Sequence, residues 1–258
     1  MRESDWSSDV CSSDLDGPDG GVVMGDTSLL ERYARVLDRI DAACASAGRP
    51  RESVRLIAVS KLHPAESLAR VAAAGQIDFG ENYVQEALQK RQDLNADPAT
   101  AAQCAGIRWH MIGHVQSRKA PLVAGAFNLV HTLDSRKLAD AFERRLAEGG
   151  SRQPVLFEVN VGGESQKSGV MSADLPELAD YVLEHCPHLE VQGLMCLPPV
   201  FDAGDAARPH FARLRELRDA LSTRLGLPLP ELSMGMSGDF EGAVAEGATM
   251  VRIGTDIF

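Results

Sequence analysis

The chain lacks most of the local signatures that would assign it a chemistry. Its five cysteines, Cys11, Cys44, Cys104, Cys186 and Cys196, are odd in number, and no two stand at C-x-x-C spacing. A disulfide framework or a zinc knuckle is therefore not expected, and a reducing, cytoplasmic setting is. No apolar run approaches the roughly 20 residues of a membrane span, and the N-terminus has no apolar stretch of the kind that marks a secretory signal. Basic residues are dispersed in a chain of formal net charge -11, so neither a nucleic-acid groove nor a binder of anionic membranes is expected. There is no G-x-x-x-x-G-K-[ST], no H-E-x-x-H and no G-x-S-x-G, and Gly162-Gly163 is too short for a dinucleotide fingerprint. No His/Cys/Asp cluster has ligand spacing, so no metal is expected. Tyrosine is scarce, with only Tyr33, Tyr83 and Tyr181.

What is present divides unevenly. Residues 1–25 are rich in Ser, Asp and Gly, and the Ser-Ser-Asp-apolar unit at 7–10 recurs at 12–15. Such a stretch has too little apolar surface to offset its ordering entropy and predicts a disordered tail. Residues 1–15 also resemble a translated adapter or vector scar, so the tail reads as artefactual, with the native start at Met24 or just after it. Residues 1–28 carry seven acids and one base, leaving the body near neutral at -5.

The body, residues 26–258, has enough apolar residues for one large domain with a full core. Residues 28–47 form an amphipathic helix with Leu29, Leu30, Tyr33, Val36, Leu37, Ile40 and Ala43 on one face, stopped by Gly48-Arg49-Pro50. Apolar runs then alternate with helical patterns. Strands are expected at 54–60, 77–80, 107–112, 129–132, 155–161, 190–195, 231–233 and 250–253. Helices are expected near 65–74, 82–94, 116–125, 135–148, 174–185, 206–225 and 239–246. Eight strands with seven intervening helices predict an α/β fold, a single modified (β/α)8 TIM barrel with an extra N-terminal helix; a doubly wound open sheet is the alternative.

In such a barrel, chemistry sits at the C-terminal ends of the strands, and phosphate often sits after the last two. Lys61 closes the first predicted strand. Its amine could condense with an aldehyde to a Schiff base, or it could simply snorkel. Ser237-Gly238, after the seventh strand, offers a hydroxyl and helix-start N–H groups to a phosphate, or an ordinary N-cap. Gly254-Thr255, after the eighth, offers a second small turn or a plain loop. Arg252 lies inside an otherwise apolar strand and needs an acceptor: a neighbouring acid or a ligand's ring nitrogen. Asn82 ends the second strand, to meet a ligand or to cap the next helix. His110 reads as a satisfied core histidine rather than a catalyst, and Lys167 as either a solvated loop lysine or an anion contact.

Ala58-Val-Ser-Lys61, Phe79-Gly-Glu-Asn-Tyr-Val-Gln-Glu86, Trp109-His-Met-Ile-Gly-His-Val-Gln116, Lys167-Ser-Gly169, Gly193-Leu-Met195, Leu232-Ser-Met-Gly-Met-Ser237 and Met250-Val-Arg-Ile-Gly-Thr255 together resemble the pyridoxal phosphate homeostasis protein family. These proteins are similar to the N-terminal barrel of alanine racemase. The resemblance implies pyridoxal 5'-phosphate held as a Schiff base on Lys61. It implies phosphate contacts from Ser237, Gly254 and Thr255, a ring-nitrogen contact from Arg252, and Asn82 near the ring. It also implies a role in vitamin B6 and amino-acid homeostasis. Four departures stand out. His63 and Arg118 replace a lysine and an asparagine, and Asp256 puts a carboxylate beside the phosphate turn. The chain also ends at Phe258 where relatives continue through a Gly-x-Arg segment, so a C-terminally truncated barrel is expected.

Racemisation needs two acid/base groups around one carbon. Alanine racemase draws one of them from a second domain and a partner subunit, and none of the three tyrosines stands in an obvious racemase position. The expectation is a cofactor-binding protein rather than an enzyme, with pyridoxal phosphate and apo pyridoxal phosphate enzymes as partners, and a monomer or weak dimer as the assembly. The alternatives are a pyridoxal phosphate-dependent amino-acid racemase and a Schiff-base aldolase-type barrel.

Overall fold

The computed structural model describes residues 25–164, 166–199 and 204–258, with side chains from residue 28 onward. The tail expected over 1–25 lies outside them except for Gly25, where α1 (Gly25–Ser46) begins. The strands are β1 (Arg55–Val59), β2 (Asp78–Glu81), β3 (Arg108–Met111), β4 (Leu129–Leu133), β5 (Gln153–Asn160), β6 (Val170–Met171), β7 (Leu189–Met195), β8 (Glu231–Ser233) and β9 (Met250–Ile253). All pairings are parallel. The order β4-β3-β2-β1-β9-β8-β7-β5 closes through β4 and β5 into an eight-stranded barrel. The expected TIM barrel is thus the observed fold, and the open sheet is excluded. β6, which no apolar run announces, pairs only with the end of β5.

The remaining helices are α2 (Ala65–Ala73), α3 (Val84–Asn95), α4 (Pro98–Cys104), α5 (Ala120–Val123), α6 (Arg136–Gly149), α7 (Leu175–His185), α8 (Arg208–Leu225) and α9 (Phe240–Ala245). Local chemistry sets several ends. Ser135 Oγ accepts from Leu138 N to start α6, and left-handed glycines, Gly150 and Gly226, stop α6 and α8. The unpredicted α4 starts with the same logic: Asp97 accepts from Thr100 N, and Pro98 occupies the first turn. The helix expected near 116–125 is only a 3-10 turn, Ser117–Lys119, and the single turn of α5.

Strand alternation separates two cores. Ile57, Leu129, Leu156, Met195 and Met250 pack inside the barrel, while the larger cluster lies between strands and helices. α1 joins that outer cluster through Leu29, Tyr33, Val36, Ile40 and Cys44; Leu30 turns outward instead, 40% exposed.

Candidate functional site

At the C-terminal mouth of the barrel lies a cavity of 610 Å³. It gathers all six residues singled out in the sequence: Lys61, Asn82, Ser237, Arg252, Gly254 and Thr255. Val59, Ile112, Leu197, Met236 and Phe258 give it apolar walls, and His63 stands beside Lys61 with its ring stacked on Phe258 at 5.0 Å between centroids. Such a mixture of apolar wall and few polar groups is the usual form of a small-molecule site.

Lys61 differs from expectation in one respect. β1 ends at Val59, Ser60 is the last buried residue, and Lys61 is the exposed first residue of the turn that follows. The next residue, Leu62, has φ 63°, a conformation that costs a side-chain-bearing residue about 1–2 kcal/mol. The turn is held from behind. Lys90 Nζ donates to Ser60 O at 2.5 Å and to Glu81 Oε1 at 2.8 Å, and lies 2.7 Å from Glu86 Oε1. Glu86 Oε1 also accepts from Leu62 N at 2.5 Å, and Ser60 Oγ donates to Glu81 Oε1 at 2.6 Å. Glu81 is fully buried and its Oε2 has no hydrogen-bond partner; burial raises its carboxyl above the usual range, against the hydrogen bonds from Lys90 and Ser60. No ion pair among the described residues engages Lys61 itself, which leaves its amine to the cavity.

Ser237, Gly238 and Thr255 line the opposite side. Their backbone N–H groups donate to no acceptor among the described residues. α9 starts one residue later than expected, at Phe240: Asp239 Oδ1 accepts from Met236 N at 2.6 Å and bends the 236–239 turn. The two turns present these N–H groups as a small cup formed by their own backbone, without a long helix behind it. Asp256 does not face it uncompensated: its carboxylate pairs with Arg39 Nη1 of α1 at 2.5 Å. The same guanidinium pairs with Glu241 at 2.7 Å, donates to Ser237 O at 3.3 Å and lies over the Phe240 ring. Sequence reading missed Arg39, because nothing in an amphipathic helix marks which polar residue touches a turn some two hundred residues away.

Asn82 lines the cavity and does not cap α3, whose first turn has no side-chain cap. Its position is fixed by close packing: a Cβ on Gly113 would come within 2.2 Å of Asn82 O.

Arg252 is 4% exposed and forms no ion pair among the described residues. The neighbouring acid weighed in the sequence does not reach contact: Asp239 and Glu158 act on the guanidinium only through space. Instead Nη1 donates to Ser233 Oγ at 2.7 Å and Nη2 to Cys196 O at 3.0 Å. Burial lowers its pKa. From Ser233 a chain runs through the barrel interior. His131 Nδ1 meets Ser233 Oγ at 2.8 Å, and His131 Nε2 meets His110 Nδ1 at 3.0 Å. His110 Nε2 meets Asp78 Oδ1 at 2.8 Å, and Arg108 closes the line on both Asp78 oxygens at 2.7 and 2.5 Å. Burial, with the charges of His110 and Arg252 behind it, drives His131 well below the usual histidine range. One proton arrangement satisfies every member with neutral imidazoles. Arg252 donates to Ser233, Ser233 to His131, His131 through Nε2–H to His110, and His110 through Nε2–H to Asp78. Burial alone would raise Asp78, but the bonds from His110 and Arg108 outweigh it and hold the carboxyl below its ordinary value. His110 is thus a satisfied interior histidine, as expected, and the chain fixes the plane of the guanidinium.

A second cavity of 410 Å³ adjoins the first and shares Leu197, Met236 and Gly238 with it. Lys167 lies on its wall, partly exposed, paired with Glu164 Oε2 at 2.6 Å and donating to Pro198 O at 3.1 Å, so its ammonium is already engaged. Among the described residues the four cysteines are free, and burial pushes the Cys196 thiol up to about 12. No helix among them is long and apolar enough to cross a membrane.

The alanine racemase N-terminal domain family model matches residues 34–258. A pyridoxal phosphate homeostasis protein of Aquifex aeolicus is 44% identical over 228 residues, covering 88% of this chain and 96% of the relative. The structure of PipY from Synechococcus elongatus PCC7942, solved with PLP bound, superposes with a TM-score of 0.75 at 34% identity over 89% of this chain and 99% of PipY. The alanine racemase of Corynebacterium glutamicum reaches a TM-score of 0.66 at 18% identity, over 90% of this chain and 61% of that one; at that identity it shares the fold alone. The chain therefore belongs to the pyridoxal phosphate homeostasis protein family, built on the alanine racemase N-terminal barrel.

Proposed function

We propose that this chain holds pyridoxal 5'-phosphate reversibly in the 610 Å³ cavity and serves vitamin B6 and amino-acid homeostasis as a cofactor-binding protein. One observation carries the reading: a buried arginine with no ion-pair partner among the described residues, three unpaired N–H groups and an unpaired lysine converge on one cavity. A buried cation and unpaired donors are costly unless a ligand supplies acceptors. An anionic, planar aldehyde with an acceptor ring nitrogen matches all of them. The family membership and the PLP-bound PipY point the same way.

When bound, the cofactor supplies an aldehyde that condenses with an amine to a Schiff base. Lys61 provides that amine. Ser237, Gly254 and Thr255 take the phosphate, with Gly238 N–H beside them and Arg39 holding the turn behind. Arg252, its plane set by Ser233, donates to the ring nitrogen and keeps it unprotonated, which makes the ring a weaker electron sink than an aspartate partner would. Asn82 meets the ring hydroxyl. Apo pyridoxal phosphate enzymes are the acceptors that fit a reversible carrier, the free cysteines suit a cytoplasmic setting, and a monomer or weak dimer suffices because the site is complete within one chain.

The second reading, an amino-acid racemase, rests on His63, the one further acid/base side chain on the cavity wall among the described residues. Burial first, and then the positive charge of Lys90, lower its pKa, and its ring is engaged by Phe258. Equilibrium dialysis with pyridoxal 5'-phosphate, paired with a chiral assay over a panel of amino acids, separates the readings. The carrier binds one equivalent, loses it in Lys61→Ala and shows no turnover at ordinary enzyme rates of about 1–1000 per second. Such turnover, abolished in His63→Gln, would establish the racemase.

A further inference from the structure

Beside the cofactor cavity, three residues from successive strand ends converge. His114 follows β3, Asp134 follows β4 and Glu158 lies near the end of β5. One ligand atom from each lies within 4.8 Å of the others. His114 Nδ1 and Asp134 Oδ2 are 3.3 Å apart. Two ligands about 2.0–2.1 Å from a tetrahedral zinc stand about 3.3–3.4 Å from each other, so this pair already has the separation an ion would impose. The third member gives the independent signal. Glu158 is 3% exposed, its Oε1 accepts from Ser168 Oγ at 2.6 Å, and its Oε2 has no hydrogen-bond partner. A buried carboxylate oxygen without a donor needs a cation or a proton. Ser168 and the adjoining 410 Å³ cavity complete the surroundings.

We propose that His114, Asp134 and Glu158 form a binding site for one divalent first-row metal ion at the barrel mouth. One imidazole and two carboxylates suit zinc or manganese better than a soft ion. Three protein ligands leave at least one position open, and Glu158, which also lines the second cavity, puts the ion at its edge. The ligands are far apart in the chain, which is why no local spacing announces them. None of the six cofactor residues takes part, so the site stands whether or not pyridoxal phosphate binds.

The test is calorimetric titration of the chelator-treated full chain with zinc, repeated with manganese and followed by electron paramagnetic resonance. One equivalent of ion is expected, with affinity falling on the order of tenfold or more in Asp134→Asn and in Glu158→Gln, and unchanged in Lys61→Ala. Should Glu158→Gln disturb folding by circular dichroism, Asp134→Asn decides alone, because Asp134 is partly exposed and its loss strands no buried group. Absence of stoichiometric binding to the unsubstituted chain overturns the proposal. So does an affinity that Asp134→Asn leaves intact, since the ion then sits elsewhere.

Discussion

Lys90→Met tests whether the turn carrying Lys61 is braced by a buried charge pair. Lys90 is 5% exposed and Glu81 0%, 2.8 Å apart. All three Lys90 N–H groups are engaged, by Ser60 O, Glu81 and Glu86. Methionine keeps the unbranched stem, one atom shorter, and removes the charge. Glu81 then retains only the Ser60 hydroxyl, with Oε2 already unpaired. Stranding a buried partner in this way costs about 3–5 kcal/mol, a large share of a typical stability of about 5–15 kcal/mol. The carboxyl would take up a proton in partial relief, which enlarges the pH dependence that its raised carboxyl already confers. Glu81→Gln with Lys90→Met removes both charges, and the double variant should recover about 2–3 kcal/mol relative to the sum of the single ones. Urea unfolding measures this directly. Because Glu86 and Lys90 also hold the Leu62 turn, Lys90→Met should weaken pyridoxal phosphate binding in dialysis under conditions where the protein is still folded. A loss within about 0.5 kcal/mol, the ordinary effect of a surface substitution, together with unchanged cofactor affinity, would refute the reasoning.

Further outcomes follow from the same geometry. His131 has a folded pKa below its unfolded value, so the unfolded chain binds the extra proton and stability falls as pH drops below about 6.5. The slope is about 1.4 kcal/mol per pH unit until the folded group titrates; in His131→Asn, unfolding measured between pH 5 and 6.5 should show a slope flatter by that amount. Gly113→Ala forces a Cβ against Asn82 O at 2.2 Å and should cost about 1–3 kcal/mol, seen as a lower melting temperature and weaker cofactor binding. Arg39→Met leaves a half-exposed ion-pair cluster broken, which changes stability by no more than about 1 kcal/mol; its larger effect is expected on cofactor affinity, through the loosened 237 and 256 turns, and dialysis distinguishes the two.

The barrel was legible because most of its ring strands are short runs rich in apolar residues, separated by turn residues and helical patterns. β8, only Glu231–Ser233, was readable chiefly by its place before the Gly-rich turn. Five of the six site residues were legible as residues after strand ends, and Arg252 as a lone cation inside a strand, since a closed barrel brings strand ends to one mouth wherever they lie in the chain. The Arg252–Ser233–His131–His110–Asp78 line was not. Each member sits alone on its own strand, and only ring closure and register turn them toward each other. β6 and α4 were missed for want of length and period, and Arg39 and the His114–Asp134–Glu158 group for want of any local pattern at all.

The most direct test of the central claim is borohydride reduction of the protein loaded with pyridoxal 5'-phosphate, followed by peptide mapping in a mass spectrometer. The account predicts one reduced pyridoxyl group per chain, on Lys61, and none in Lys61→Ala. A label on another lysine, or one that persists undiminished in Lys61→Ala, would contradict it.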